Sequence, residues 1–252
     1  MCRRNHTVTE QPPFTSRTVS GIVVGDFPGT VNDLNGPVPD YEDLKKEILS
    51  RWPDITYRGF KDKEATRERF LSEAREAVNH VGPDGMLFFI MDVCHAGSNT
   101  RNGFKKARSI GYEKVLSFSS SLDSETSADA TFLGGANGAW HYALKKTIEI
   151  DITYRQWFYR AVALLKKLGF DQTPVIEGSE ELQSRKIFEG NVETLQVSSH
   201  GGRETDWEGD EADNKDELIY FYDGKVNDDE IRAIIDNPKK PGILRKLFRR
   251  RK

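Results

Sequence analysis

Cys94 and His200 are the two side chains of this 252-residue chain whose surroundings suit covalent chemistry. Each stands just past a short strand-like segment. Met86 to Met91 runs into Asp92-Val93-Cys94-His95-Ala96, and Val192 to Val197 runs into Ser198-Ser199-His200-Gly201. Segments of this length predict buried strands, and open α/β sheets carry their chemistry just beyond the carboxyl ends of such strands. The thiolate rather than the thiol is the nucleophile, so Cys94 needs an imidazole to take its proton. His200 is the candidate. His95 adjoins the cysteine, and neighbouring residues of extended chain project to opposite sides. His80, in a turn, and His141, on a helix, read as surface or packing histidines, and His6 lies in a polar leader. A lone cytosolic cysteine is commonly buried and inert. The company of Asp92, Gly97 and His200-Gly201 favours a nucleophile instead, with the backbone N–H groups of Cys94 and Gly201 binding the oxyanion and glycine allowing close approach.

The elements that must position these groups follow from periodicity. Strands are predicted over 18–24, 55–60, 86–91, 112–117, 173–177 and 192–197, and helices over 41–51, from Thr66 to about Asn79, 138–147 and 154–168. Segments 25–39, 98–111 and 119–137 read as loops, and Gly82-Pro83-Asp84-Gly85 as a turn. Alternating strands and helices predict an α/β fold with a mostly parallel central sheet flanked by helices on both faces. The division is a flexible leader (1–17), one domain (18–237) and a basic tail (238–252). Within the domain, 18–97 carries the first strands and the cysteine, 98–190 forms a second part, and 191–237 holds the histidine strand and an acidic segment.

Composition narrows the function classes. A formal charge of -3 with 31% charged residues describes an ordinary soluble surface and does not single out nucleic acid as a partner. Charge is nevertheless segregated. Residues 203–236 carry an acidic excess and read as a solvated or metal-binding loop, whereas 239–252 hold eight Lys/Arg and no acid. Two cysteines are too few for a disulfide framework, so a reducing, cytoplasmic location is expected. The leader lacks a signal-peptide core, and no apolar stretch is long enough to span a bilayer. No phosphate-binding glycine loop follows a strand, which argues against a nucleotide-binding protein.

Several peptides together resemble the caspase-fold cysteine peptidases of the metacaspase and orthocaspase type. Gly29-Thr30-Val31-Asn32-Asp33-Leu34 is similar to that family's loop after the first strand, and Ala65-Thr66 to the start of its next helix. Asp92-Val93-Cys94-His95-Ala96-Gly97 resembles the nucleophile box, with Ala96 in place of serine. Thr126-Ser127-Ala128-Asp129-Ala130, Gly138-Ala139-Trp140 and Gln172-Thr173-Pro174 resemble later segments. In the family the histidine strand precedes the cysteine strand. Here only Asn79 to Gly85 stands in that place, and the histidine segment with its acidic residues comes last. The resemblance therefore implies a rearranged strand order, with strand 192–197 lying between the 18–24 strand and the cysteine strand.

What the resemblance implies for function is a cysteine endopeptidase cutting after Arg or Lys through a Cys94–His200 dyad. Asp33, Asp92 and Ser198 would line the pocket for the basic side chain on the acyl side of the scissile bond, called P1. The alternative for Asp33 is that it caps a turn. Asp213, Asp216, Asp228 and Asp229 are the implied Ca2+ ligands, with a solvated acidic face as the alternative. No cofactor is required, and Arg101 stands where calcium-dependent relatives carry an acid. Lys105, Lys106, Arg108 and the basic tail are candidate self-processing sites. The tail, with Ile243, Leu244, Leu247 and Phe248 between charges, could also touch nucleic acid or anionic membrane weakly. The alternative function is a catalytically inactive caspase-like scaffold or decoy.

Overall fold

Alternation along one strand divides the core of this protein in two. Met86, Phe88 and Ile90 pack into one apolar cluster, and Leu87, Phe89 and Met91 into another. Successive residues of a strand face opposite sides, so a segment apolar at every position must be covered on both faces. The structure is a computed structural model and describes residues 16–28, 30, 32–82, 84–96, 114–122, 124–132, 135–206 and 215–236.

In chain order the described elements are β1 (Arg17–Val23), α1 (Pro37–Arg51), β2 (Thr56–Lys61), α2 (Arg67–His80), β3 (Met86–Asp92) and β4 (Val115–Ser119). A hairpin of β5 (Asp129–Phe132) and β6 (Gly135–Gly138) leads into α3 (Ala139–Thr147) and α4 (Tyr154–Leu168). Then come β7 (Val175–Glu177), α5 (Glu180–Ser184), β8 (Val192–Ser198), β9 (Gly201–Thr205), β10 (Lys215–Phe221), β11 (Gly224–Asn227) and α6 (Asp228–Asp236). The helix starts are chemically specified. Thr66 accepts the N–H of Arg69 at 3.1 Å, and Thr153 and Gln156 form a reciprocal capping box.

The main sheet has the order β2-β1-β8-β3-β4-β7, parallel throughout except for β7, which runs antiparallel to β4. β8 thus occupies the position between β1 and β3 that the sequence reading requires. Its register is set on both sides, Val197 opposite Ile22 and Met91, Ser198 opposite Val23 and Asp92. The cluster on one face joins α1, α3 and α4 through Leu44, Trp140 and Trp157. The other joins α2 and α6 through Phe70, Leu71 and Ile231.

Two expectations about loops are corrected. Segment 119–137 contains the β5–β6 hairpin, which its Gly/Ala-rich sequence conceals because it lacks a period-two apolar pattern. The acidic segment after His200 is not a loop in its described part. It is a three-stranded antiparallel sheet, β11-β10-β9, followed by α6. Leu218, Ile219, Phe221 and Val226 are buried and decide the outcome over the abundant carboxylates. The small sheet docks on α2, where Phe221 stacks on Phe70 at 4.9 Å and Tyr222 donates its N–H to the Ala65 carbonyl. None of the helices among the described residues is long and apolar enough to cross a membrane.

Candidate active site

Because β3 and β8 are adjacent and parallel, their carboxyl ends emerge side by side. The Ser199 N–H reaches the Asp92 carbonyl at 3.3 Å, and the chains then diverge into the Cys94 turn and the His200-Gly201 step. The two backbones touch at that point. A side-chain carbon at Gly201 would lie 1.8 Å from the Cys94 carbonyl oxygen and 2.9 Å from its nitrogen. Tyr220 donates to the His200 carbonyl at 3.0 Å, so His200 and Tyr220 form a hydrogen-bonded pair of the β9–β10 ladder. In antiparallel sheets such pairs alternate with non-bonded ones, which directs the Gly201 N–H away from β10.

Cys94 is half-buried, and its sulfur is 4.0 Å from the Ser127 carbonyl. His200 shares its cleft and is held from two directions. The Phe27 ring lies 4.7 Å from the imidazole, and Nε2 is 2.5 Å from the Asn32 carbonyl. A carbonyl only accepts, so Nε2 carries hydrogen there, and in the neutral ring Nδ1 is the nitrogen left to take a proton. The Asn32 carbonyl is a partner that sequence reading did not find, because a backbone oxygen leaves no mark in residue type. His95 adopts a left-handed backbone with φ of 59° and donates its N–H to the Glu125 carbonyl. It forms no part of the cleft lining.

The cleft is lined by Leu34, Pro37, Asp40, Asp92, Ser198 and Ser127, among others. Asp33 is not among them. It is exposed, and its carboxylate accepts the Phe27 N–H at 3.0 Å, the turn-capping role. The second carboxylate beside Asp92 is Asp40, from the first turn of α1. Asp40 accepts the Gly138 N–H at 3.0 Å, the Asn137 amide at 3.1 Å and the Ser198 hydroxyl at 3.3 Å. Gly138 is required there, since a side-chain carbon would stand 2.4 Å from an Asp92 oxygen and 3.0 Å from an Asp40 oxygen. Asp92 also receives the Ser127 hydroxyl at 2.5 Å.

His141 lies behind these acids, fully buried rather than at the surface, with Nδ1 2.8 Å from Asp92 and 3.8 Å from Asp40. Burial pushes the Asp40 carboxyl up to about 7, while the facing His141 pulls it back. Burial alone would depress the His141 imidazole, but Asp40 and the bond to Asp92 outweigh it and hold the ring above the ordinary histidine value. Asp40, Asp92 and His141 also form the group whose ligand-capable atoms converge within 4.8 Å among the described residues.

The implied calcium ligands sit elsewhere. Asp216 lies on β10, and Asp228 and Asp229 open α6, while Asp213 falls outside the described residues. Burial, with Asp229, Asp206 and Glu204 nearby, pushes Asp216 up to about 6. Carboxylates crowded this way suit a hard cation. Arg232, however, already contacts Asp228 at 3.6 Å and Asp229 at 2.9 Å, supplying positive charge from within the chain. Gly29, Gly97, Arg101, the self-processing candidates and the tail lie outside the described residues.

With this geometry in view, comparison with known proteins gives a partial answer. The chain is locally similar to metacaspases. It is 43% identical over 53 residues to Metacaspase-1B of Aspergillus terreus, covering 19% of this chain and 14% of that protein. It is 49% identical over 49 residues to Metacaspase-1A of the same species, covering 18% of this chain and 12% of the relative. The matched part is thus a small fraction of each relative. No family model matches. In fold, the chain is similar to protein GSU0716 from Geobacter sulfurreducens, with a TM-score of 0.50 at 14% identity over 69% of this chain and 99% of the other.

Proposed function

We propose that this protein is a cysteine endopeptidase that hydrolyses peptide bonds after Arg or Lys. The observation that carries the reading is the contact between the Cys94 and Gly201 backbones at the ends of β3 and β8, in a cleft that also holds His200, Asp40 and Asp92. The metacaspase likeness supports the same class of chemistry.

In this reading His200 takes the thiol proton at Nδ1, and the Cys94 sulfur attacks the scissile carbonyl carbon. The resulting oxyanion is received by the N–H groups of Cys94 and Gly201. The His200 proton passes to the departing amine as the C–N bond breaks, leaving a thioester on Cys94. A water molecule then gives His200 a proton, adds to the thioester carbonyl and frees the acid and the thiol. Donation from Nε2 to the Asn32 carbonyl keeps the ring oriented through both transfers. Asp40 and Asp92 attract a cationic P1 side chain, and Ser198 holds Asp40 in place. Self-processing after Lys105, Lys106 or Arg108 follows from the same preference. The steps use side chains and backbone groups of this chain, and calcium is assigned no role in them.

The test is hydrolysis of matched peptides ending in Arg, Lys or Asp by the wild type, Cys94→Ala and His200→Ala. Removing either member of a nucleophile–base pair is expected to lower kcat by roughly 10³-fold or more. Turnover that survives Cys94→Ala, or a preference for Asp, would overturn the proposal.

A further inference from the structure

The pocket acids raise a charge problem that the catalytic steps leave unsolved. Asp40 and Asp92 are both almost fully buried, and both lie against the position that Gly138 leaves open. Two carboxylates so placed repel one another and tend to share a proton, which would leave little charge to attract a basic side chain. The structure supplies a third group. His141 from α3 is 1% exposed, directs Nδ1 to Asp92 and Asp40, and has its Nε2 3.0 Å from the Gln196 amide of β8. The amide nitrogen of Gln196 faces Nε2 and its Oε1 accepts the Tyr57 hydroxyl from β2, which suits a neutral ring. The imidazolium requires the amide turned over, with Oε1 accepting Nε2–H and the NH2 group donating to the Tyr57 oxygen, an exchange that the near-identical shape of the two ends of an amide allows.

We propose that His141 is a positioning residue for specificity: as a buried imidazolium behind the pocket it lets Asp40 and Asp92 ionise together, leaving one net negative charge to match one cationic P1 side chain. The bookkeeping is two carboxylates and one imidazolium, against one guanidinium or ammonium from the substrate. His141 does not line the cleft, so it acts through the acids and not on the substrate. Three other elements present a polar or charged group to the ring. α1 presents Asp40, β3 presents Asp92, and β8 presents Gln196. Lys145 from α3 opposes the ring's charge but is drawn off by Asp43 and the Asn137 side-chain oxygen Oδ1. Tyr57 is neutral at working pH, since burial holds its hydroxyl well above the ordinary tyrosine value.

The inference rests on the peptidase reading and deepens it, and its consequences are separable. In the wild type, KM for an Arg peptide is expected to rise at least tenfold as pH falls below about 7, where Asp40 takes up its proton. In His141→Gln, which keeps a hydrogen-bonding side chain but no cation, the same KM limb moves upward by about one pH unit or more. The pH profile of Cys94 alkylation by iodoacetamide stays where it is. A KM limb unmoved in His141→Gln, in an enzyme that still cleaves after Arg, would overturn this inference and leave the peptidase reading standing. A wild type that neither cleaves Arg peptides nor alkylates at Cys94 would instead remove the reading beneath it. Should His141→Gln fail to fold, 15N-histidine spectra of the wild type, with the other four histidines assigned by single substitution, decide the matter. An imidazolium signal for His141 at pH 7.5 is expected, and a neutral ring there overturns the proposal.

Discussion

Gly201 packs against Cys94 so closely that a methyl group on it would lie 1.8 Å from the Cys94 carbonyl oxygen. Carbon and oxygen cannot approach that far, and the obstructing atom is backbone, so Gly201→Ala must displace either the cysteine turn or the histidine step. Hydrolysis is expected to fall at least 100-fold, because misplacing a reacting group by about 1 Å can cost that much. The unfolding midpoint in urea should fall as well. Wild-type turnover in this variant would show that the contact plays no part in the chemistry.

The two aspartates of the α1 approach are expected to separate cleanly. Asp40 faces Asp92 and Ser198, whereas Asp33 is exposed and caps the Phe27 turn. Asp40→Asn should raise KM for an Arg peptide by about tenfold or more, in keeping with the roughly 1.5–3 kcal/mol of a charged hydrogen bond. Asp33→Asn should change it by less than about threefold. The reverse order of effects would return Asp33 to the pocket.

Stability should carry an unusual pH signature. The folded chain holds the Asp40 proton up to about 7 against an ordinary value of 3.8, because burial disfavours the carboxylate. The folded state therefore binds this proton more tightly than the unfolded state, and the Asp40 contribution to stability is lost as pH rises from about 4 through about 7. His141 acts in the same sense, its folded value being raised and its contribution lost above it. Asp40→Asn, which cannot ionise, is expected to gain on the wild type by on the order of 2 kcal/mol between pH 5 and pH 8 in urea titrations. A constant difference between the two proteins across that range would refute the assignment.

A strand that comes late in the chain yet lies in the middle of the sheet makes folding depend on late residues. Leu195 on β8 is fully buried in the cluster shared with α2. Leu195→Ala should cost about 2–5 kcal/mol. Ending the chain before Val192 removes hydrogen-bonding partners from β1 and β3 at once. Circular dichroism of that truncated chain should show loss of cooperative unfolding, and a native-like melt would contradict the central role of β8.

Chelation separates the two possible uses of the acidic segment. Arg232 already contacts Asp228 and Asp229. EDTA is therefore expected to change turnover by less than about twofold. A tenfold loss restored by Ca2+ would show that a cation outcompetes the arginine there.

Much of this protein was readable before any coordinates. The helix start at Thr66 and the periodicity of 154–168 are local chemistry, and β3 is a run apolar at every position. Such signals depend only on neighbours in the chain, so residue type and spacing express them directly. The two strand-end peptides around Cys94 and His200 were visible for the same reason, whereas the place of β8 between β1 and β3 was implied by the family resemblance and not by local spacing.

The pocket was a different matter. Asp33 follows an asparagine in a loop and looks like the recognition acid, whereas Asp40 opens a helix, where an acid is ordinary for the helix dipole. Sequence neighbourhood pointed to Asp33, and only the packing of α1 beside β8 and α3 brings Asp40 against Asp92. His141 has the spacing of a packing residue, and its pairing with two carboxylates arises from elements up to a hundred residues apart. The acid count of residues 203–236 likewise hid a small sheet whose few apolar positions outweigh many solvated charges. Local chemistry thus marked Cys94 and His200 as candidates and named the strands that deliver them. Long-range packing set Asp40 and Asp92 against each other and against His141, because burial and proximity exist only once distant segments share one interior.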